Sequence, residues 1–310
     1  MGLARGRAAS MAIAGALAIA GCGPGPGPGT ADVGVAVTRD FGTVPLHALG
    51  EGGVPGSETV LQLLERHFRI GTRYGGDFVE SIDGQSGSSA HLDWFFYVNG
   101  MEAAQGAGTT PVRHGDRIWW DLHDWAATDS VPAVVGSYPE PFVHGVDGHR
   151  DPTSVQCAAD AGSACTTVVA ALRRTGVTVT RRALQVGAAV GSSIPILVGT
   201  WSEISHNGTA RLLAGGPTAS GVYAQFATGG TGLALLGPHG QRVRTVGAGA
   251  GLVAATAAPG AALPTWLVTG TDLAGVDAAA AAMTASRLHD RFALAVDGGT
   301  ELPVPLDPSS

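Results

Sequence analysis

Charge is scarce in this sequence. Asp, Glu, Lys and Arg make up 14% of its 310 residues, and their balance is −7. No basic cluster runs along the chain, which argues against nucleic acid as a partner. Catalytic signatures are missing as well: there is no Gly-x-Ser-x-Gly elbow, no phosphate loop ending in Gly-Lys-Ser/Thr and no His-Glu-x-x-His pair. The expectation is therefore a non-enzyme with no catalytic residues and no intrinsic cofactor. The glycine-rich stretch 247–251 lacks the third glycine of a dinucleotide loop and runs into a strand-like segment, so it reads as a flexible connection. Cysteine occurs three times, and no cysteine or histidine pair stands near Cys157 and Cys165 to complete a metal site. No fixed-period repeat is visible. What the chain does have is apolar content (45%) and glycine (48 residues). It is too apolar to be disordered and long enough for two domains.

The first residues have the order of a secretory signal. Arg5 and Arg7 precede an uncharged apolar run over residues 8–20, shorter than the ~20 residues a bilayer span needs. Ile19-Ala20-Gly21-Cys22 then resembles the bacterial lipobox. That resemblance implies cleavage before Cys22, acylation of its thiol, and a protein anchored on the extracytoplasmic face of the cell membrane. An ordinary secretory signal with an incidental cysteine is the alternative. The Gly-Pro repeat that follows Cys22 forms neither helix nor central strand and suits a spacer. Outside the cytosol, Cys157 and Cys165 are expected to form a disulfide; metal binding is the competing use of that spacing.

Periodicity divides the rest. A first strand is expected at residues 33–37, a loop at 40–56, and a helix from a Ser57 cap to Phe68 with Val60, Leu61, Leu64 and Phe68 as its apolar stripe. Strands follow at 74–82, 94–98 and 117–123, with turns at Asp83-Gly84 and Asn99-Gly100. In the last strand Ile118, Trp120 and Leu122 share one face, and Trp119, Asp121 and His123 the other. The expected fold is α+β: a β-grasp-like domain over 32–125 behind the signal (1–21) and tether (22–31), a linker over 126–142, and a second α+β domain over 143–310. In that second domain a helix capped by Ser163 should end before Gly176. A long helix over 272–288 should bury Leu273, Val276, Ala280 and Met283.

The helix Thr59-Val60-Leu61-Gln62-Leu63-Leu64, the strand Asp93-Trp94-Phe95-Phe96-Tyr97-Val98-Asn99-Gly100 and the ending Gly115-Asp116-Arg117-Ile118-Trp119-Trp120 resemble the transcobalamin C-terminal-like family in order and type. The resemblance covers residues 32–125, about a third of the chain. This is a bacterial domain family of unassigned function, similar to the C-terminal domain of animal cobalamin carriers. There the small domain closes over a corrinoid held against a large helical domain, which residues 143–310 do not encode. The resemblance implies capture of a small ligand, with a corrinoid as the candidate, delivered to a membrane transporter. A cell-surface interaction or structural module is the alternative.

Trp94, Phe96, Tyr97, Trp119 and Trp125, with Trp120, are the candidate ligand-binding aromatics, because flat rings give contact area at little conformational cost. Strand alternation sends one subset into the core, and pattern alone does not say which. Asn99 is a turn residue or a ligand contact. His123, beside Asp121 and Asp124, is a surface histidine at a strand end or an imidazole ligand. No metal site is assigned.

Overall fold

The computed structural model describes residues 1–2, 32–74, 78–88, 90–185 and 192–309. The signal segment, Cys22 and the tether lie outside them. The chain is an α+β protein of multiple domains.

The N-terminal domain contains β1 (Val33–Arg39), β2 (Val44–Glu51), α1 (Val60–His67), β3 (Ile70–Arg73), β4 (Phe78–Ile82), β5 (Gln85–Ser86), β6 (Leu92–Val98), β7 (Met101–Glu102) and β8 (Arg117–Asp124). Its main sheet has the order β2-β1-β8-β6-β7, with β1 and β8 parallel and the other pairs antiparallel. β3, β4 and β5 form a separate antiparallel sheet. β2 occupies a stretch expected to be loop. It is an edge strand, where Pro45 is tolerated, and a register shift opposite Val37 and Thr38 accommodates it. α1 starts two residues later than expected. Thr59, not Ser57, caps it, and Thr59 and Gln62 form a reciprocal capping box. Val60, Leu63 and Leu64 are its buried residues; Leu61 and Phe68 pack at the rim of that core.

The C-terminal domain contains β9 (Thr153–Cys157), α2 (Gly162–Arg174), β10 (Val179–Ala183), β11 (Ile194–Thr200), α3 (Trp201–Ile204), α4 (Pro217–Ser220), β12 (Ala224–Phe226), β13 (Leu233–Leu236), β14 (Arg242–Val246), β15 (Gly251–Thr256), β16 (Thr265–Gly270), α5 (Leu273–Ala282), α6 (Ala285–Leu288), β17 (Ala293–Asp297) and β18 (Thr300–Val304). Seven strands form one sheet in the order β10-β9-β11-β16-β15-β17-β18, parallel from β10 to β16 and antiparallel beyond. α2 and α5 pack on one face, with Val155, Ile196, Val253 and Trp266 beneath them. The small sheet β12-β13-β14 and part of the N-terminal domain cover the other. A sheet buried on both faces explains why β9, β15 and β16 are buried at every position, and why β15 and β16 are largely apolar without alternation.

The long helix expected over 272–288 is two helices. Asp272 caps α5 by accepting from Gly275 N at 2.9 Å, and Thr284, in extended conformation, starts α6. Leu273 is 42% exposed and takes no part in the buried stripe. α2 begins after Ala161 without a side-chain cap, so Ser163 is not its cap. The 247–251 stretch is anchored, not free: Gly249 N donates to Asp272 at 2.8 Å and Ala250 N to Thr271 Oγ1 at 3.2 Å. Glycine is required at 275, where a Cβ would overlap the carbonyl of Ala250. Cys157 and Cys165 are joined as a disulfide, tying the end of β9 to the first turn of α2.

Residues 126–142, read as a linker, are exposed or half-buried up to Ser130 and then mostly buried, with successive turns from Val135 onward. Val131, Val134, Val135, Tyr138 and Phe142 are core residues. Val134 N donates to Gly100 O at 2.9 Å and Val135 N to Phe292 O at 3.2 Å. One strip of backbone thus stitches both domains together.

Candidate functional site

Strand alternation sorts the aromatics of β6 and β8. In the observed register Trp94 faces Leu122, Phe96 faces Trp120 and Val98 faces Ile118 on one side of the sheet. That side is the N-terminal domain's own core, shared with α1. Phe95, Tyr97, Trp119, Asp121 and His123 point to the other side, against the C-terminal domain. They form a seam.

Phe292, just before β17, is the hub of that seam. Its ring lies 5.1 Å from Phe41, 5.6 Å from Tyr97, 5.2 Å from Trp119 and 5.2 Å from His123, all edge-on. Phe41 also touches Tyr223 at 5.1 Å, and His123 stacks on Phe95 at 4.5 Å. A polar knot sits inside these rings. The fully buried Asp121 carboxylate accepts from Phe41 N (3.0 Å), Gly42 N (2.8 Å) and the Thr38 hydroxyl, and pairs with His123 Nδ1 at 2.9 Å. Trp119 Nε1 donates to Thr38 Oγ1 at 2.8 Å. Among the described residues the hydroxyls of Tyr97 and Tyr223 have no hydrogen-bond partner, although both are buried. Burial drives both phenols well above their usual range; for Tyr97 the nearby Glu102, Asp121 and Tyr223 add to it. A buried hydroxyl without a partner costs roughly 1–3 kcal/mol. Other buried polar atoms share this state, among them Trp120 Nε1, Tyr138 Oη and Trp266 Nε1, but Tyr97 and Tyr223 both belong to the seam, where one bound polar group would serve them.

Two outer grooves meet at Glu102, the cross-strand partner of Tyr97, and neither is lined by a residue of the knot itself. One, of about 490 Å³, is lined by Met101, Glu102, Gln105, Arg113, His149 and Ala261 among others. A second, of about 400 Å³, shares Met101, Glu102 and Ala261 and adds Ser130, Pro132 and Gly221. Glu102 Oε2 accepts from Ser130 Oγ at 2.6 Å, yet burial leaves its carboxyl above the ordinary range. A smaller cleft of about 240 Å³ opens beside Trp119, between β1 and residues 136–138, with His289 and Asp290 on its far wall.

The residues singled out from the sequence therefore separate. Tyr97, Trp119 and His123 come together in the seam. His123 is 2% exposed, so the expectation of a surface histidine is corrected. Its ring is enclosed by aromatics because it sits on the face that the C-terminal domain covers. Trp94 is a core residue with its indole N–H donated to Gln85 O at 3.1 Å. Phe96 stacks on Trp120 at 4.6 Å at the rim of the same core. Trp125 is half-buried away from the seam, donating to Asp93 at 2.8 Å. Asn99 forms the expected left-handed turn with Gly100, and its side chain is fully used: it donates to Asp116 and Gly145 O and accepts from Arg117 N. Among the described residues no group of three or more His, Cys, Asp or Glu could hold a metal ion. Phe41, Tyr223, Phe292 and Glu102 were not singled out. They come from distant parts of the chain, and each alone reads as an ordinary core or loop residue.

Fold and site together define an α+β, multi-domain protein whose N-terminal sheet is closed by a polar and aromatic seam. Residues 57–124 match a family described as "Domain of unknown function (DUF4430)". No curated protein matches the chain. Among solved structures, a putative metal binding protein from Ruminococcus gnavus ATCC 29149 is similar at 18% identity and a TM-score of 0.26, over 30% of this chain and 97% of that one. Haptocorrin in complex with Cbi is similar at 18% identity and a TM-score of 0.26, over 30% of this chain and 25% of that one, so the match spans a quarter of the haptocorrin chain.

Proposed function

We propose that this is a lipoprotein, anchored through Cys22 on the extracytoplasmic face of the membrane, that captures a small ligand between its two domains and passes it to a transporter. It is a binding protein rather than an enzyme. The observation that carries this reading is the pair of buried hydroxyls, Tyr97 and Tyr223, unpartnered among the described residues, with Glu102 of the outer grooves paired across the strands to Tyr97. A ligand that enters at Glu102 and parts the seam would meet hydrogen-bond partners and aromatic faces in one place. The Cys157–Cys165 disulfide supports an oxidising compartment.

The resemblance to the transcobalamin C-terminal-like family makes a corrinoid the first ligand to test. Grooves of 400–490 Å³ lie in the lower half of the usual range for small-molecule sites. A macrocycle would therefore have to part the domains at Phe292. Titration calorimetry with cyanocobalamin and with cobinamide, alongside tryptophan emission, tests this. The expected result is heat of binding with a change in Trp119 emission. No heat and no spectral change at micromolar ligand sinks the corrinoid version. Fractionation tests the anchor: Cys22→Ser should leave the membrane fraction, and its retention there defeats the lipoprotein claim.

A second reading is a structural or protein-interaction module with no small ligand. The close ring packing around Phe292 favours it, since this seam resembles a core more than a mouth. A seam that stays closed to fluorescence quenchers in the presence of every ligand tried would support it.

A further inference from the structure

The chain is acidic and shows no basic run, yet its fold gathers arginines that lack ion-pair partners among the described residues at one corner of the C-terminal domain. Arg173 and Arg174 end α2. Arg150 reaches that same end, donating from Nη2 to Gly176 O at 3.5 Å. Arg181 lies on β10, the outermost strand of the seven-stranded sheet. It stands opposite Val155, which is buried against α2, so Arg181 projects on the α2 side of the sheet. Arg182, opposite Gln156, takes the other face. All five are exposed, and none has an ion-pair partner among the described residues. By contrast Arg66, Arg73, Arg113 and Arg287 are all paired with carboxylates.

Two ordinary roles cover part of this. Cations suit a helix C-terminus, and charges on an edge strand deter pairing with another chain. Neither requires Arg150 to join the same corner. Nearby acids are few: Asp151 adjoins Arg150, Asp277 sits on the neighbouring α5, and Asp160 lies at the opposite end of α2. The corner is positive in a protein whose net charge is −7.

We propose that Arg150, Arg173, Arg174 and Arg181 form a docking surface for anionic phospholipid headgroups, which orients the C-terminal domain against the bilayer. The proposal rests on the membrane-tethered reading above, since a tether keeps this corner within reach of the lipid. Guanidinium groups suit the task because they fork onto phosphate oxygens and stay charged at any working pH.

The test removes the tether, so that it stands apart from the anchor. Residues 32–310, from the first residue of the described fold onward, are used once a cooperative thermal transition shows that they fold. That chain is sedimented with vesicles of phosphatidylcholine alone and of phosphatidylcholine mixed with phosphatidylglycerol, whose negative surface potential attracts basic segments. Binding is expected only to the anionic vesicles and should be lost at high salt. R173Q, R174Q and R181Q should weaken it by about five-fold each. Removing three arginines elsewhere (R69Q, R211Q and R242Q together) should leave it unchanged. Equal partition to both vesicle types, or a corner triple variant that binds as well as the parent, overturns the proposal. So does retention on polyglutamate without vesicle binding, which would assign the corner to an acidic protein. Failure of the anchor shows separately, in the fractionation of Cys22→Ser.

Discussion

Replacing Phe292 with alanine should open the seam between the domains. The side chain is 3% exposed and its four ring neighbours, Phe41, Tyr97, Trp119 and His123, all belong to the N-terminal domain. Truncating a buried phenylalanine costs about 3–5 kcal/mol. Edge-on ring pairs contribute about 0.5–1.5 kcal/mol each beyond burial, and four are lost together, which places the cost toward the upper end. At roughly 2 °C per kcal/mol for a chain of this size, the midpoint should fall by about 8 °C. Because the lost contacts all cross one boundary, the calorimetric transition should also split, with the N-terminal domain melting first. Trp119 emission should shift to the red as water enters. Leu273→Ala is the control: that side chain is 42% exposed, and its change should stay within about 0.5 kcal/mol. A Phe292→Ala chain that melts in one transition within 2 °C of the parent (about 1 kcal/mol), with unchanged emission, refutes the claim that these rings hold the domains together.

Asp121→Asn replaces a buried acceptor of four donors with a group that must turn its NH₂ toward some of them; denaturant midpoints should report a loss of about 2–4 kcal/mol, and an unchanged midpoint would mean the knot adds no stability. Converting Cys157 and Cys165 to serine opens a loop with a sequence separation of 8, so unfolding should become easier by about 2.5 kcal/mol on the chain-entropy scale; equal midpoints for the parent with and without reductant would contradict this. Glu102 is held above its ordinary value of 4.5 by burial. The folded state therefore binds its proton more tightly than the unfolded state, and stability from this group declines as pH rises from 4.5 through the raised folded value. Glu102→Gln should accordingly stabilise the chain at pH 8 and make no difference below about pH 4; a variant less stable than the parent at pH 8 would reverse the sign of the argument.

Much of the N-terminal domain was legible because its signals are local. Period-two alternation in residues 117–123 placed Ile118, Trp120 and Leu122 on one face and Trp119, Asp121 and His123 on the other, as found. The Asn99-Gly100 turn was equally plain, since both residues adopt the left-handed backbone that those types tolerate. Where the reading failed, a tertiary contact overruled a local preference. β2 forms despite Gly50 and Pro45 because β1 supplies a partner edge. Within the 126–142 stretch read as linker, Val131, Val134, Val135, Tyr138 and Phe142 join the core, because two sheets close over them. The helix over 272–288 breaks at Thr284, whose extended backbone starts a new turn.

By itself, then, the sequence determined which side chains share a face, where the chain turns, and which two cysteines stand close enough to bond. Those properties depend on neighbours within a few positions, and strand and helix geometry translate them directly into direction. Only the tertiary structure decided which face would be covered. Alternation is symmetric about the sheet, so nothing local says that Trp119 and His123 meet Phe292, about 170 positions away, while Trp94 and Trp120 meet α1. The same holds for the arginine corner. Arg150, Arg173, Arg174 and Arg181 are scattered along the chain, and they became one surface when β10 folded back beside β9 and α2 ended against them.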